Sequence, residues 1–208
     1  MNNLYKHISE IDNIIGDEEL EGNCFYEHKQ KGVVRNAQSV RAMRNNLKTL
    51  GSKAKNILEI GFNAGHSAVL FLHDNPNAKY VGVDIGRHEY TVPCFLYLKK
   101  HFNMELEIGN SREVLKNYKT SIPFDLIHID GGHGKDAALA DLLLCKKYSN
   151  ENTLIILDDT STIPHVKKLA ELLIDSKYIK EIKMNDIKCL DTVHHKVYKY
   201  NFETPGPR

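Results

Sequence analysis

The 208 residues balance 28 lysines and arginines against 27 aspartates and glutamates, for a formal net charge of +1, and 41% of them are hydrophobic. That length suits one domain with a core of its own, and the neutral balance gives bulk charge no reason to draw nucleic acid or an anionic membrane. Cys24, Cys94, Cys145 and Cys189 are scattered and form no C-x-x-C pair, which argues against a zinc site or disulfide frame and for reduced thiols. No apolar run approaches the roughly 20 residues of a membrane span. The first residues lack a signal-peptide core, so a cytoplasmic protein is expected.

Leu4, Ile8, Ile11, Ile14 and Ile15 recur at helical spacing and predict an amphipathic helix over residues 3–15. Residues 16–35 are polar and broken by Gly16, Gly22 and Gly32, which reads as a long loop carrying Phe25 and Tyr26. Helical spacing resumes at Val40, Met43, Leu47 and Leu50, with Gly51 as its expected C-terminal stop. From residue 56 the chain alternates. Strands are predicted over 56–60, 79–84, 105–109, 124–130 and 153–158. Helices follow at about 65–73, 92–102, 111–118, 135–147 and 163–175. Ser111 is the expected cap of the third of these, and Pro164 suits the first turn of the last. Residues 178–184 and 196–200 read as two further strands, and 203–208 as a frayed tail.

This alternation predicts an α/β fold with a doubly wound, Rossmann-like sheet of seven strands. The sheet is mostly parallel with an antiparallel C-terminal strand, and helices cover both faces. Three segments are expected: 1–51 as a helical N-terminal or lid segment, 52–202 as the main domain, and 203–208 as a flexible tail. Such sheets bind ligands beyond the carboxyl ends of their strands. Those ends here are Glu59 and Gly61, then Asp84, then Gly109, Asn110 and Ser111, then Asp130, then Asp158 and Asp159. Repeated carboxylates at the ends of apolar strands repel one another and need compensation.

Gly61 and Gly65 mark a sharp turn between the first of these strands and its helix. The order Glu-x-Gly-x-x-x-Gly differs from a dinucleotide fingerprint. A carboxylate at Glu59 repels phosphate and suits a cationic ligand, which points to S-adenosylmethionine. Asp84, 25 residues later, can accept both hydroxyls of a ribose, and Asn110 with Ser111 can meet an adenine edge. Asp84 as a plain helix cap is the alternative. Asp130, Asp158 and Asp159, brought together by adjacent strands, suit a hard divalent cation such as Mg²⁺, Mn²⁺ or Ca²⁺; capping of the next helix by Asp158 or Asp159 is the competing explanation. His133, in a D-G-G-H turn, is placed for general-base work or as a fourth ligand. His66 stands beside the turn, His128 is expected to pack, and His194 and His195 carry no specific signal.

The stretch Glu59 to Ser67 resembles motif I of the class I S-adenosylmethionine-dependent methyltransferases, and in detail the catechol O-methyltransferase branch. Asp130, Asp158 and Asp159 fall where that branch binds Mg²⁺ with two aspartates and an asparagine; Asp159 departs from it. The D-G-G-H run with an acidic pair after the fifth strand is closer to the macrocin-type sugar O-methyltransferases. The resemblance spans roughly residues 30–160. It implies cofactor contacts from Glu59, Gly61, Phe62, Asn63, Gly65, His66, Ser67, Asp84, Ile85, Asn110, Ser111 and Asp130. It also implies metal ligation by Asp130, Asp158 and Asp159, and catalysis by His133 with Asp130. A lid over residues 22–36 is implied as well. The implied activity is metal-dependent O-methylation of a sugar or catechol-like hydroxyl on a small molecule. It implies no nucleic-acid or membrane partner and leaves homo-oligomer formation open. A metal-independent N- or protein methyltransferase, a non-catalytic cofactor-binding subunit and a metal-dependent hydroxylase are the other readings.

Overall fold

A computed structural model describes residues 3–21, 24–27, 30–34, 38–185, 187 and 194–203. Cys189 and residues 204–208 of the expected tail lie outside them. The chain opens with α1 (Asn3–Ile15), then the short pair β1 (Tyr26–Glu27) and β2 (Gln30–Val34), then α2 (Gln38–Gly51). The alternating part follows: β3 (Asn56–Ile60), α3 (His66–Leu72), β4 (Lys79–Asp84), α4 (Thr91–Leu98), β5 (Met104–Ile108), α5 (Ser111–Asn117), β6 (Leu126–Ile129), α6 (Lys135–Cys145), β7 (Leu154–Leu157), α7 (Pro164–Asp175), β8 (Ile179–Glu181) and β9 (Lys196–Tyr200).

Seven strands form one sheet in the order β5-β4-β3-β6-β7-β9-β8. The five from β5 to β7 are parallel, and β9 runs antiparallel between β7 and β8. The Rossmann-like α/β sheet therefore has the predicted strand count and mix. Its strand order reverses between β3 and β6, which opens a crevice at their carboxyl ends. One face buries α1, α2, α3 and α4 around Ile11, Leu47, Phe71 and Leu98. The other buries α5, α6 and α7 around Leu115, Leu142 and Leu169. Strands buried on both faces explain the continuous apolar runs that the sequence shows. Among the described residues no helix is long and apolar enough to cross a membrane.

Two local expectations change. Within the polar stretch 16–35, β1 and β2 pair antiparallel rather than leaving an unstructured loop. Phe25 and Tyr26 are 0% and 2% exposed, so these two aromatics of the expected lid belong to the core. α2 ends at Gly51 as expected, although this glycine has no positive φ. A Cβ there would stand 2.4 Å from the Phe71 Cα, so the absent side chain is what lets α2 lie on α3.

Candidate active site

The turn after β3 is built by its backbone. Gly61 has φ 96° and Gly65 φ 83°, and Asn63 also adopts positive φ at 52°. A Cβ on Gly61 would lie 2.0 Å from the Asp130 carbonyl oxygen, so only glycine lets β3 leave the sheet directly against the end of β6. The Gly61 N–H donates to the Val83 carbonyl at 2.8 Å, and the Asp130 N–H to the Ile60 carbonyl at 2.9 Å. Asp84 completes the turn. Its Oδ2 accepts the Asn63 N–H at 2.7 Å and its Oδ1 the Gly86 N–H at 2.8 Å. Each carboxylate oxygen keeps a further lone pair for a ligand hydroxyl.

A cavity of about 850 Å³ lies over these strand ends, within the usual range for small-molecule sites. Its wall includes Gly61, Phe62, Asn63, His66, Ser67, Asp84, Ile85, Asn110, Ser111, Asp130, His133, Asp158 and Asp159. Most of the sequence-derived candidates therefore share one hollow. Gly65 and Glu59 are not part of that wall. Glu59 is 0% exposed, and its carboxylate faces into the sheet, where it accepts from the Tyr80 hydroxyl and pairs with His128 Nδ1 at 2.6 Å.

Ser111 does not cap α5. Asn110 does, accepting the Arg112 N–H at 3.0 Å, while the Ser111 hydroxyl donates to Asp141 at 2.6 Å. Neither Asp158 nor Asp159 caps α7 with its side chain, since the N-cap is Ile163 and makes no side-chain bond. Asp159 has φ 58°. It turns to His133, whose Nδ1 lies 2.7 Å from Asp159 Oδ2, and it also accepts the Thr162 hydroxyl at 2.7 Å.

The acidic residues form two overlapping groups rather than one trio of aspartates. Asp130 shares one with His128 and Asp158 and another with His133 and Asp159, the ligand-capable atoms of each lying within 4.8 Å of one another. Burial and the neighbouring charges of Asp158, Glu59 and Asp159 push the Asp130 carboxyl well above the usual carboxylate range. The hydrogen bond to Asp159 raises the His133 imidazole against the opposing effect of burial. Burial raises Asp159 too, yet its bonds to His133 and Thr162 outweigh this and leave it below the ordinary value. Within these two groups, His128 Nε2 and Asp158 Oδ1 are buried without a hydrogen-bond partner. Unpartnered polar atoms beside crowded carboxylates fit a cation.

The cavity also gathers residues that periodicity passed over. Glu21, Arg87 and His88 line it, with His88 Nε2 2.8 Å from Glu21 Oε2. The Asn63 side-chain amide donates to the Glu21 carbonyl. His66 is buried on the wall against the rings of Phe25 and Tyr26. His195 is buried there too, with Nε2 3.2 Å from the Asn46 amide.

Comparison with known proteins follows the same lines. Residues 58–160 match a family model described as a methyltransferase domain. No curated protein matches the chain. Among solved structures, the chain resembles an O-methyltransferase from Bacillus cereus in complex with SAH, at 17% identity and TM-score 0.63, covering 93% of this chain and 88% of that one. It also resembles the O-methyltransferase TomG from Streptomyces achromogenes in complex with SAM, at 16% identity and TM-score 0.61, over 93% and 87% of the two chains. The SAH-bound methyltransferase PaMTH1 from Podospora anserina is similar at 16% identity and TM-score 0.64, over 97% and 88%. At these identities the likeness is one of fold.

Proposed function

We propose that the chain, whose residues 58–160 match a methyltransferase domain, is a class I S-adenosylmethionine-dependent methyltransferase that transfers a methyl group to a hydroxyl oxygen of a small molecule. The reaction uses a divalent cation and His133 as general base. The observation that carries this reading is the His133–Asp159 pair at 2.7 Å, beside Asp130 and Asp158 on the wall of the same cavity as the glycine turn.

S-adenosylmethionine, when bound, supplies an electrophilic methyl on its sulfonium. The turn from Gly61 to Ser67, Asp84 with Ile85, and Asn110 with Ser111 would hold it. Asp84 keeps acceptor capacity for ribose hydroxyls after its two backbone bonds. Gly61 leaves the backbone bare on the cavity wall, while Gly65 makes room for Phe62 and Leu98 behind the turn. Asp130, Asp158 and Asp159 are the carboxylates that would hold the cation. When bound, the cation lowers the pKa of a coordinated hydroxyl.

His133 removes the acceptor proton. Its Nδ1–H donates to Asp159, which fixes the tautomer and leaves Nε2 as the basic atom. The imidazole side chain is 56% exposed, so an entering hydroxyl can reach it. Orientation of the acceptor between base and donor then supplies much of the rate. The balanced charge of the chain and the absence of a basic aromatic stripe favour a small acceptor over nucleic acid. The three cysteines among the described residues, Cys24, Cys94 and Cys145, are free and buried, which agrees with work in a reducing cytoplasm.

The test is methyl transfer from S-adenosylmethionine to a panel of catechols and sugar hydroxyls, before and after chelation. Turnover should stop on chelation and return with added divalent ion. His133→Ala should lower kcat roughly 10²- to 10⁴-fold and leave donor binding intact. Asp130→Ala should abolish turnover and metal dependence while sparing much of the donor affinity. Full turnover after chelation would favour metal-independent N- or protein methylation instead. Donor binding without transfer to any acceptor would mark a non-catalytic subunit.

A further inference from the structure

His128 is the third residue of β6 and pairs in register with Glu59 of β3. Parallel neighbours at one register position project to the same face of a sheet, so their side chains meet: His128 Nδ1 lies 2.6 Å from Glu59 Oε1. The other Glu59 oxygen accepts from the Tyr80 hydroxyl. Both oxygens of this fully buried carboxylate are therefore engaged. A ring Nδ1–H held by such a partner leaves Nε2 with its lone pair outward. That is the arrangement by which a second carboxylate orients a metal-binding histidine.

His128 is 2% exposed and its Nε2 has no partner. A buried ring nitrogen with no partner is costly, and here it belongs to a residue on the cavity wall. His128, Asp130 and Asp158 each offer a ligand atom, all within 4.8 Å of one another. Asp158 Oδ1 is the second orphan in the group. Asp159, by contrast, is committed to His133 and Thr162.

We propose that His128 binds the divalent ion through Nε2 together with Asp130 and Asp158, with Glu59 as its positioning residue. This inference rests on the metal-dependent reading above and changes its ligand chemistry. An imidazole in the set favours a transition ion such as Mn²⁺, Fe²⁺ or Co²⁺ over Mg²⁺ or Ca²⁺, which prefer oxygen alone. Asp159 then serves chiefly to hold the base.

The test is binding and spectroscopy on the full chain, with Mn²⁺ and Mg²⁺ as probes. Calorimetry should show Mn²⁺ binding at least ~10-fold tighter than Mg²⁺. Pulsed electron paramagnetic resonance of the Mn²⁺-loaded protein should show a directly bound nitrogen. That signal should change when histidine is labelled with ¹⁵N. It should persist in His133→Gln and disappear in His128→Gln, with Mn²⁺ affinity falling roughly 10- to 100-fold. The parent spectrum decides even if His128→Gln fails to fold. Ion binding with no nitrogen coupling would overturn the assignment and leave the all-oxygen site standing. Loss of the coupling in His133→Gln instead would overturn it in favour of His133. Absence of binding by either ion would remove this assignment and the metal-dependent reading together.

Discussion

Asp84 concentrates several roles in one side chain. It ends β4, ties down the Asn63 and Gly86 amides, and lines the cavity. Replacing it with alanine frees both amides and removes the acceptor for a ribose. A hydrogen bond to a charged group is worth about 1.5–3 kcal/mol, so Asp84→Ala should weaken S-adenosylhomocysteine binding roughly 10- to 100-fold by calorimetry. Unchanged affinity would show that this carboxylate serves the turn alone. The sequence marked Asp84 because a carboxylate ended an apolar strand. It could not mark Glu59 as a buried partner of His128, because periodicity gives the face of each residue and not which faces meet. Nor could it send Ser111 to Asp141, a contact between α5 and α6 set by packing.

At the scale of elements, the α2–α3 contact turns on one residue. In an isolated helix, replacing glycine by alanine stabilises by about 1 kcal/mol. At Gly51 the sign reverses, because the new Cβ would meet the Phe71 backbone at 2.4 Å and backbone cannot swing aside as a flexible side chain can. Gly51→Ala should therefore lower stability by about 1–3 kcal/mol, a Tm drop of roughly 2–10 °C for a chain of this size. A rise in Tm on thermal unfolding would mean that α2 ends freely. The helical spacing of Val40, Met43, Leu47 and Leu50 made α2 legible. The reason for its terminal glycine was not, since a stop and a close crossing leave the same letter in the sequence.

Over the whole molecule, buried histidines set a pH dependence. Burial lowers His66 to about 4. Burial also lowers His195 to about 4, with the His128 and His194 charges adding to it and Asp158 opposing. For a histidine depressed in the folded state, protonation favours the unfolded chain. Stability is then full above the unfolded value near 6.5 and is lost as pH falls toward 4. Each such group is worth up to about 3 kcal/mol across that window. Asp130 and Asp141 are raised, chiefly by burial, and work in the opposite direction. The clean measurement is therefore a difference. Urea unfolding of His66→Leu against the parent should show the variant gaining relative stability steadily from pH 6.5 to 4. Parallel profiles would show that His66 titrates normally in the folded protein.

The sequence by itself determined the helices, the strands of the alternating part, the α/β class, and the carboxylate- and glycine-bearing strand ends, because these follow from local periodicity and from residues that suit one backbone conformation; it passed over the β1–β2 pair. The resemblance of Glu59 to Ser67 to a methyl-donor loop was legible for the same reason: a turn is read within a few residues. Only the tertiary structure decided how those ends combine. The insertion of β9 between β7 and β8, the split of the acidic residues into two groups around Asp130, and the turning of Glu59 toward Tyr80 and His128 are contacts between distant segments. Such contacts depend on strand order, register and packing, which no local pattern encodes. The carboxylates were visible along the chain; which of them face one ion, and which histidine stands with them, is a property of the assembled sheet.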